Sequence, residues 1–219
     1  MARKQNNYHH GDLRRLLIST AEEIITSQGL EAFTLRQLSQ RIGVSHTAAY
    51  RHFKNKHELF CALALEGFKE LVRRFQEIGP NGQNTPREQI SAIGKTYIHF
   101  ALENPARYRV MFGHVLINQE RTPELEQAVG QTFESLRQVI IEGQAKGTVR
   151  DGDPGDLTGV GWSMAHGIAQ LLIDGQLTTI DGGPTAPALI TKSHAPADQN
   201  TERLIDIAVD SMTAGLMKR

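Results

Sequence analysis

A helical period runs through almost the whole of this sequence, and no stretch alternates apolar and polar residues as a convincing strand. That excludes sheet-based architectures and predicts an all-α chain. Start and stop signals divide it into about nine helices. Leu13, Leu16, Leu17, Ala21, Ile24 and Ile25 form the stripe of a first helix, closed by Gly29. Thr34 with Gln37 makes a capping box for a short second helix carrying Leu35 and Leu38. Gly43 breaks that helix, and Ser45 caps a third through Ala49 and Arg51. Asn55 with Glu58 opens a long fourth helix from Phe60 through Ile78.

Residues 79–84, GPNGQN, read as a linker. Beyond it, Thr85-Pro86, Thr122-Pro123 and Asp153-Pro154 repeat one start signal, with proline at a first helical position that needs no N–H. Asn104-Pro105 interrupts the first of these helices, and a short piece with Tyr108, Met111 and Phe112 follows. A final helix begins near Thr201. The segment 178–199 is a loop of unusual length, either mobile or holding a short helix around Ala188–Lys192. No internal repeat is present.

The chain has 219 residues with 24 basic and 24 acidic side chains, ample for one or two domains with a real core. No apolar run reaches the ~18–20 residues of a membrane span, and MARKQNNYHHGD lacks a signal-peptide apolar region. The expectation is a cytoplasmic protein without membrane attachment. Cys61, the single cysteine, fits a core filler in a reducing compartment. Zero net charge argues against a polyanion partner only if the charge is evenly spread, and it is not. Residues 1–58 carry nine Lys/Arg against five Asp/Glu, a balance of +4, so residues 59–219 carry −4. Two domains are expected, 1–58 and 59–219.

Three short helices, the last two joined by the tight turn Ile42-Gly43-Val44, are helix-turn-helix geometry. The helix after the turn offers Ser45, His46, Thr47, Ala48, Tyr50, Arg51 and His52, and no acidic residue lies between Glu31 and Glu58. A groove-facing helix needs such residues, because phosphates repel carboxylates. Thr34 at one helix start and Lys56 at another are placed to clamp phosphate on either side.

The run TLRQLSQRIGVSHTAAYRHFKNKHELF resembles the DNA-binding domain of the TetR/AcrR family of bacterial transcriptional regulators. The likeness covers about residues 10–60, with Gly29, Thr34, Leu38, Gly43-Val44-Ser45, Tyr50, His52-Phe53, Lys54-Asn55-Lys56 and Leu59 in register. It implies an all-helical homodimer whose N-terminal helices bind double-stranded operator DNA and whose C-terminal domain binds a small-molecule inducer. Carried over, it makes His46, Thr47 and Ala48 base contacts. Tyr50, His52, Thr34 and Lys56 become phosphate contacts, and Arg36 reaches either. The arm with Arg3, Lys4, Tyr8, His9 and His10 adds phosphate or minor-groove contacts. Trp162, His166 and Gly167 further resemble a C-terminal subgroup with a W-x3-H-G signature.

Trp162 and His166, four apart on one helical face, are either a packed tryptophan with a hydrogen-bonded histidine or part of a ligand cavity. The cavity reading adds Tyr97, Phe100, Tyr108, Met111 and Phe112, with Phe68 on the fourth helix beneath. Gly159, Gly161 and Gly167 weaken their helix, so a second helix packed against them, as at a dimer interface, is expected to compensate. No cofactor or metal is expected: the histidines lack an i,i+4 pair backed by a carboxylate. Two other functional classes are open. One is a helical protein–protein adaptor with a degenerate helix-turn-helix. The other is a hydrolase using Gly161-Trp162-Ser163-Met164-Ala165 as a nucleophile elbow, which needs a strand-to-helix turn that the sequence does not supply.

Overall fold

The computed structural model describes residues 10–78, 84–117, 119–177, 179–180, 183–184 and 199–218. Helices are α1 (His10–Gln28), α2 (Leu35–Ile42), α3 (His46–His52), α4 (Lys56–Ile78) and α5 (Pro86–Glu103). They continue as α6 (Pro105–Phe112), α7 (His114–Ile117), α8 (Pro123–Ala145), α9 (Pro154–Ile173) and α10 (Gln199–Leu216). A minimal antiparallel ladder pairs β1 (Thr179–Ile180) with β2 (Gly183–Pro184), Thr179 opposite Pro184 and Ile180 opposite Gly183. All-α architecture stands. The single turn α7 and the two-residue ladder are additions, each too short to leave a periodic signal. The stretch Ala188–Lys192, where a short helix is one of the two alternatives for the long loop, lies outside the described residues.

Helix ends sit where local chemistry puts them. The Thr34 side chain accepts the Gln37 N–H at 3.2 Å, and Gln37 Oε1 accepts the Thr34 N–H at 3.0 Å. Thr85 and Glu88 form the same reciprocal box at the head of α5. Asp153 Oδ1 takes the N–H groups of Gly155 and Asp156 at 2.8 and 3.0 Å before α9. Asn55 Oδ1 accepts the Glu58 N–H at 2.8 Å, while the Glu58 carboxylate reaches one residue further back, to the Lys54 N–H. Each device satisfies donors that a helix start leaves unpaired.

Packing divides the chain into Met1–Gly67 with Ala106–Leu125, and Phe68–Pro105 with Glu126–Arg219. The line expected at residue 58 follows charge. The packing line runs further along α4 and recruits α6 and α7 into the first unit.

In the first unit α1 packs on α2 and α2 on α3. Leu17, Leu38, Phe53, Leu59 and Leu63 are fully or almost fully buried, and the Phe33 and Phe60 rings lie 5.5 Å apart. Each such side chain contributes roughly 1.5–3 kcal/mol on removal from water. Cys61 is buried too, and burial pushes its thiol pKa up, as suits an inert core residue.

In the second unit α5 packs against α9 and α10, and α9 against α10. Arg87–Asp210 and Lys95–Asp206, both 2.6 Å, and His99–Glu202 at 3.4 Å run as an antiparallel ladder that fixes the α5–α10 register. On α4, Arg73 and Arg74 hydrogen-bond the Glu70 carboxylate and hold its pKa down to about 2. Among the described residues no helix is long and apolar enough to cross a membrane.

Candidate DNA-binding surface and inner cavity

The α2–α3 turn depends on one backbone conformation. Gly43 adopts φ 79° and ψ 26°, and its N–H reaches the Ser39 and Gln40 carbonyls. The Val44 N–H also bonds Ser39 O, at 3.1 Å. Any residue with a Cβ is strained there. Ser45 then caps α3 by accepting the Ala48 N–H at 3.2 Å. Ala49 is the fully buried contact of α3, and Phe53 behind it is buried beneath the Arg14 guanidinium, 5.1 Å from the ring centroid.

With Ala49 inward, the opposite face of α3 is fixed. Ser45, His46, Thr47, Tyr50 and Arg51 are exposed, Tyr50 at 47%, while Ala48 and His52 are half-buried. Arg36 on α2 is exposed as well. Thr34 lies at the surface, with its hydroxyl shared between the Gln37 N–H and Gln37 Oε1. The Lys56 ammonium donates to Leu30 O at 3.0 Å and lies over the Phe60 and Phe33 rings, at 5.1 and 5.7 Å. It therefore ties the loop after α1 to the start of α4. Among the described residues no ion pair involves Arg36, Arg41, Arg51 or Lys54. Cations without an ion-pair partner, beside an α3 that carries no acidic residue, favour a polyanion. Arg41 thus joins Arg51 and Lys54, which the sequence already singles out. Arg3, Lys4, Tyr8 and His9 lie outside the described residues, as does the side chain of His10.

In the second unit α4, α5, α8, α9 and α10 line a partly open cavity of about 30 Å3. That holds one or two waters, each of which needs ~10–15 Å3 on this measure. Tyr97 and Trp162 line it. His166 accompanies them: its Nδ1 and the Tyr97 hydroxyl are 2.8 Å apart, and its ring lies 4.9 Å from Trp162. Phe133 meets Trp162 edge-on at 5.2 Å. Burial lowers the His166 pKa, favouring the neutral imidazole. Phe68 and Phe100 are buried in this unit without lining the cavity, and Tyr108, Met111 and Phe112 pack in the first unit. Sequence reasoning missed Thr132, Thr158, Gly161 and Ala165, which line the wall without being aromatic.

Ser163, the serine of the elbow reading, lies inside continuous α9 and donates to Gly159 O at 2.7 Å. The strand-to-helix turn that would present it as a nucleophile is absent from that segment. Among the described residues no three His, Cys, Asp or Glu side chains are arranged to hold a metal ion.

Residues 17–63 match the model of bacterial regulatory proteins of the tetR family, and residues 90–191 match a tetracyclin repressor-like C-terminal domain. Among characterised proteins, the chain is 30% identical over 111 residues to the nucleoid occlusion factor SlmA of Actinobacillus pleuropneumoniae, covering 51% of this chain and 54% of that protein. SlmA of Vibrio vulnificus is 32% identical over 132 residues, 58% of this chain and 65% of that one. The chain thus spans about half to two thirds of the length of these relatives. Among solved structures, a protein of unknown function from Rhodococcus sp. RHA1 superposes with a TM-score of 0.77 at 27% identity, covering 98% of this chain and all of that one. The ketosteroid transcriptional regulator KstR2 of Mycobacterium tuberculosis, at 18% identity, shares the fold with a TM-score of 0.65 over 98% of both chains. With a helix-turn-helix matched by one family model and a helical C-terminal unit matched by another, the chain belongs to the TetR family of bacterial transcriptional regulators.

Proposed function

We propose that this protein is a cytoplasmic homodimeric repressor that binds a palindromic operator and is released from it by a small molecule. One observation carries the reading: the Gly43 turn presents an acid-free α3 face of hydrogen-bonding side chains beside unpaired cations. His46, Thr47 and Ala48 contact base edges. Ser45, Tyr50, His52, Thr34 and Lys56 hold phosphates, and Arg36 serves either role. Such a division matches how base contacts specify and phosphate contacts position.

The surface of the second unit supports dimerisation. Val160, Met164 and Leu171 form an exposed apolar stripe on α9, and Ile207 on α10 is 55% exposed. A Cβ added at Gly159 or Gly167 meets nothing within 4 Å, leaving room for a second helix to approach closely. Gly161 is different: it already faces Leu136 and Leu216 at 3.4 Å within the chain. Two copies of α3 then enter successive major grooves, roughly 34–36 Å apart.

Release follows from differential affinity. A ligand bound at the cavity shifts the protein only as far as it prefers one of two states. Helix α4 carries both Lys56 and Phe75, a cavity-lining residue, on one continuous element. Selection of bound fragments from a random DNA pool tests the reading. Enrichment of a palindrome supports it, and failure to retain any DNA at low salt contradicts it.

A further inference from the structure

We propose that Arg14, on α1, clamps a DNA phosphate and that the Phe53 ring holds it in place to do so. The proposal rests on reading α3 as the DNA-facing helix, and it adds a contact from outside the α2–α3 pair.

The Arg14 guanidinium carbon lies 5.1 Å from the centroid of the Phe53 ring, within the ~6 Å reach of a cation–π contact. Phe53 is buried and Arg14 is exposed, so the guanidinium covers the ring from the solvent side. Among the described residues Arg14 forms no ion pair and no hydrogen bond. The acids that could neutralise it are engaged elsewhere or distant in the chain. Asp12 binds Arg15 at 3.3 Å, Glu31 faces His114, and the Glu58 carboxylate accepts the Lys54 N–H. Neither α2 nor α3 contains an acidic residue. A carboxylate partner would fix the guanidinium and cancel its charge. The ring fixes it and leaves the full charge, with its N–H donors open to an anion.

The position suits phosphate better than a base. The Phe53 N–H bonds Ala49 O at 3.0 Å, so the Phe53 Cα still follows the α3 spiral. At about 100° per residue, Phe53 falls ~40° round from the inward Ala49 and ~60° from the outward Tyr50. Arg14 therefore stands at the rim of the exposed α3 face, on the Tyr50 flank and not the Ala48 flank. A helix in the major groove has base edges before the middle of its face and phosphates along its rims. A long cation already held at that rim also has less side-chain freedom to lose when DNA arrives.

The full chain would be measured by fluorescence anisotropy between about 50 and 300 mM salt. The probes are a random-pool fragment that the wild type retains and an unrelated fragment of the same length. Arg14→Gln should lower the slope of log affinity against log salt by about one per protomer. It should weaken both fragments by a similar factor, roughly five- to tenfold at about 0.1 M salt. Arg14→Lys, which keeps the charge, should retain most of the slope. Phe53→Leu and Phe53→Met remove the ring and keep an apolar side chain in the core. Each should weaken binding roughly two- to fivefold alone and add nothing in the Arg14→Gln background.

Urea melts of every variant separate this role from a structural one. An Arg14→Gln protein that loses stability but keeps the wild-type salt slope makes Arg14 a prop for α3 and overturns the proposal. An altered base preference, or additive losses for the Arg14 and Phe53 changes, would overturn it as well. Wild-type protein that retains no DNA sinks the reading of α3. Wild-type binding with an unchanged slope for Arg14→Gln sinks this inference alone.

Discussion

The ammonium of Lys56 donates to the carbonyl of Leu30 at 3.0 Å, stapling the loop after α1 to the first turn of α4. A residue proposed to meet phosphate thus also holds its own unit together. Lys56→Ala is expected to reduce stability by ~1–2 kcal/mol in urea melts, from the lost hydrogen bond and cation–π contacts. In gel shifts it should weaken every DNA sequence alike. A changed sequence preference would assign Lys56 to base reading instead.

Gly43 is the hinge of the recognition motif, with φ at 79°. Gly43→Ala should cost about 1–2 kcal/mol in thermal or urea unfolding, and Gly43→Asn less, since asparagine tolerates the left-handed region. Equal melting of all three proteins would show that the turn relaxes without strain.

Arg107 and Glu22 form an ion pair between α6 and α1, both about four-fifths buried, and Arg107 Nε is buried without a partner. Glu22→Gln should destabilise the first unit by a few kcal/mol, because it strands a buried guanidinium. The double variant Glu22→Leu/Arg107→Met should be milder than the worse single change. A double-mutant cycle with strictly additive costs would contradict the pairing.

Burial lowers the His166 pKa from 6.5, so the unfolded chain binds the proton more tightly than the native state does. The stability this contributes is present above pH 6.5 and is lost as pH falls through the native value. His166→Gln should flatten that acid-side decline in chemical denaturation between neutral pH and about pH 5. An unchanged slope would place the acid sensitivity elsewhere.

What the sequence made legible was local. Thr34–Gln37, Thr85–Glu88 and Asp153 are caps that act over two or three residues, and Gly43 marks a backbone state that a side chain forbids. The exposed face of α3 followed from the same short range, because burying Ala49 turns Tyr50 outward. The contacts that were not legible join residues far apart: Lys56 to Leu30 across 26 positions and Arg107 to Glu22 across 85. Aromatic type likewise predicted burial without saying in which unit. Tyr97 and Trp162 reach the cavity, while the Tyr108 and Phe112 rings meet at a tilt in the first unit, 4.8 Å apart. Thr132 and Gly161 line the wall because of where α8 and α9 pack, a fact that neither residue type announces.

Arg51 is exposed on α3 and in no ion pair among the described residues. If it meets phosphate, Arg51→Ala should lower the slope of log affinity against log salt by about one. An unchanged slope with weaker binding to selected DNA would make it a base contact.

The exposed face of α3 is proposed to read DNA sequence. Selection from a random pool, run in parallel on the wild type and on Thr47→Ala, tests it most directly. The wild type should enrich a palindrome with half-sites about one helical turn apart, and Thr47→Ala should relax preference at one position per half-site while keeping the spacing. No enrichment by the wild type, or an identical preference from both proteins and from His46→Ala, would contradict it.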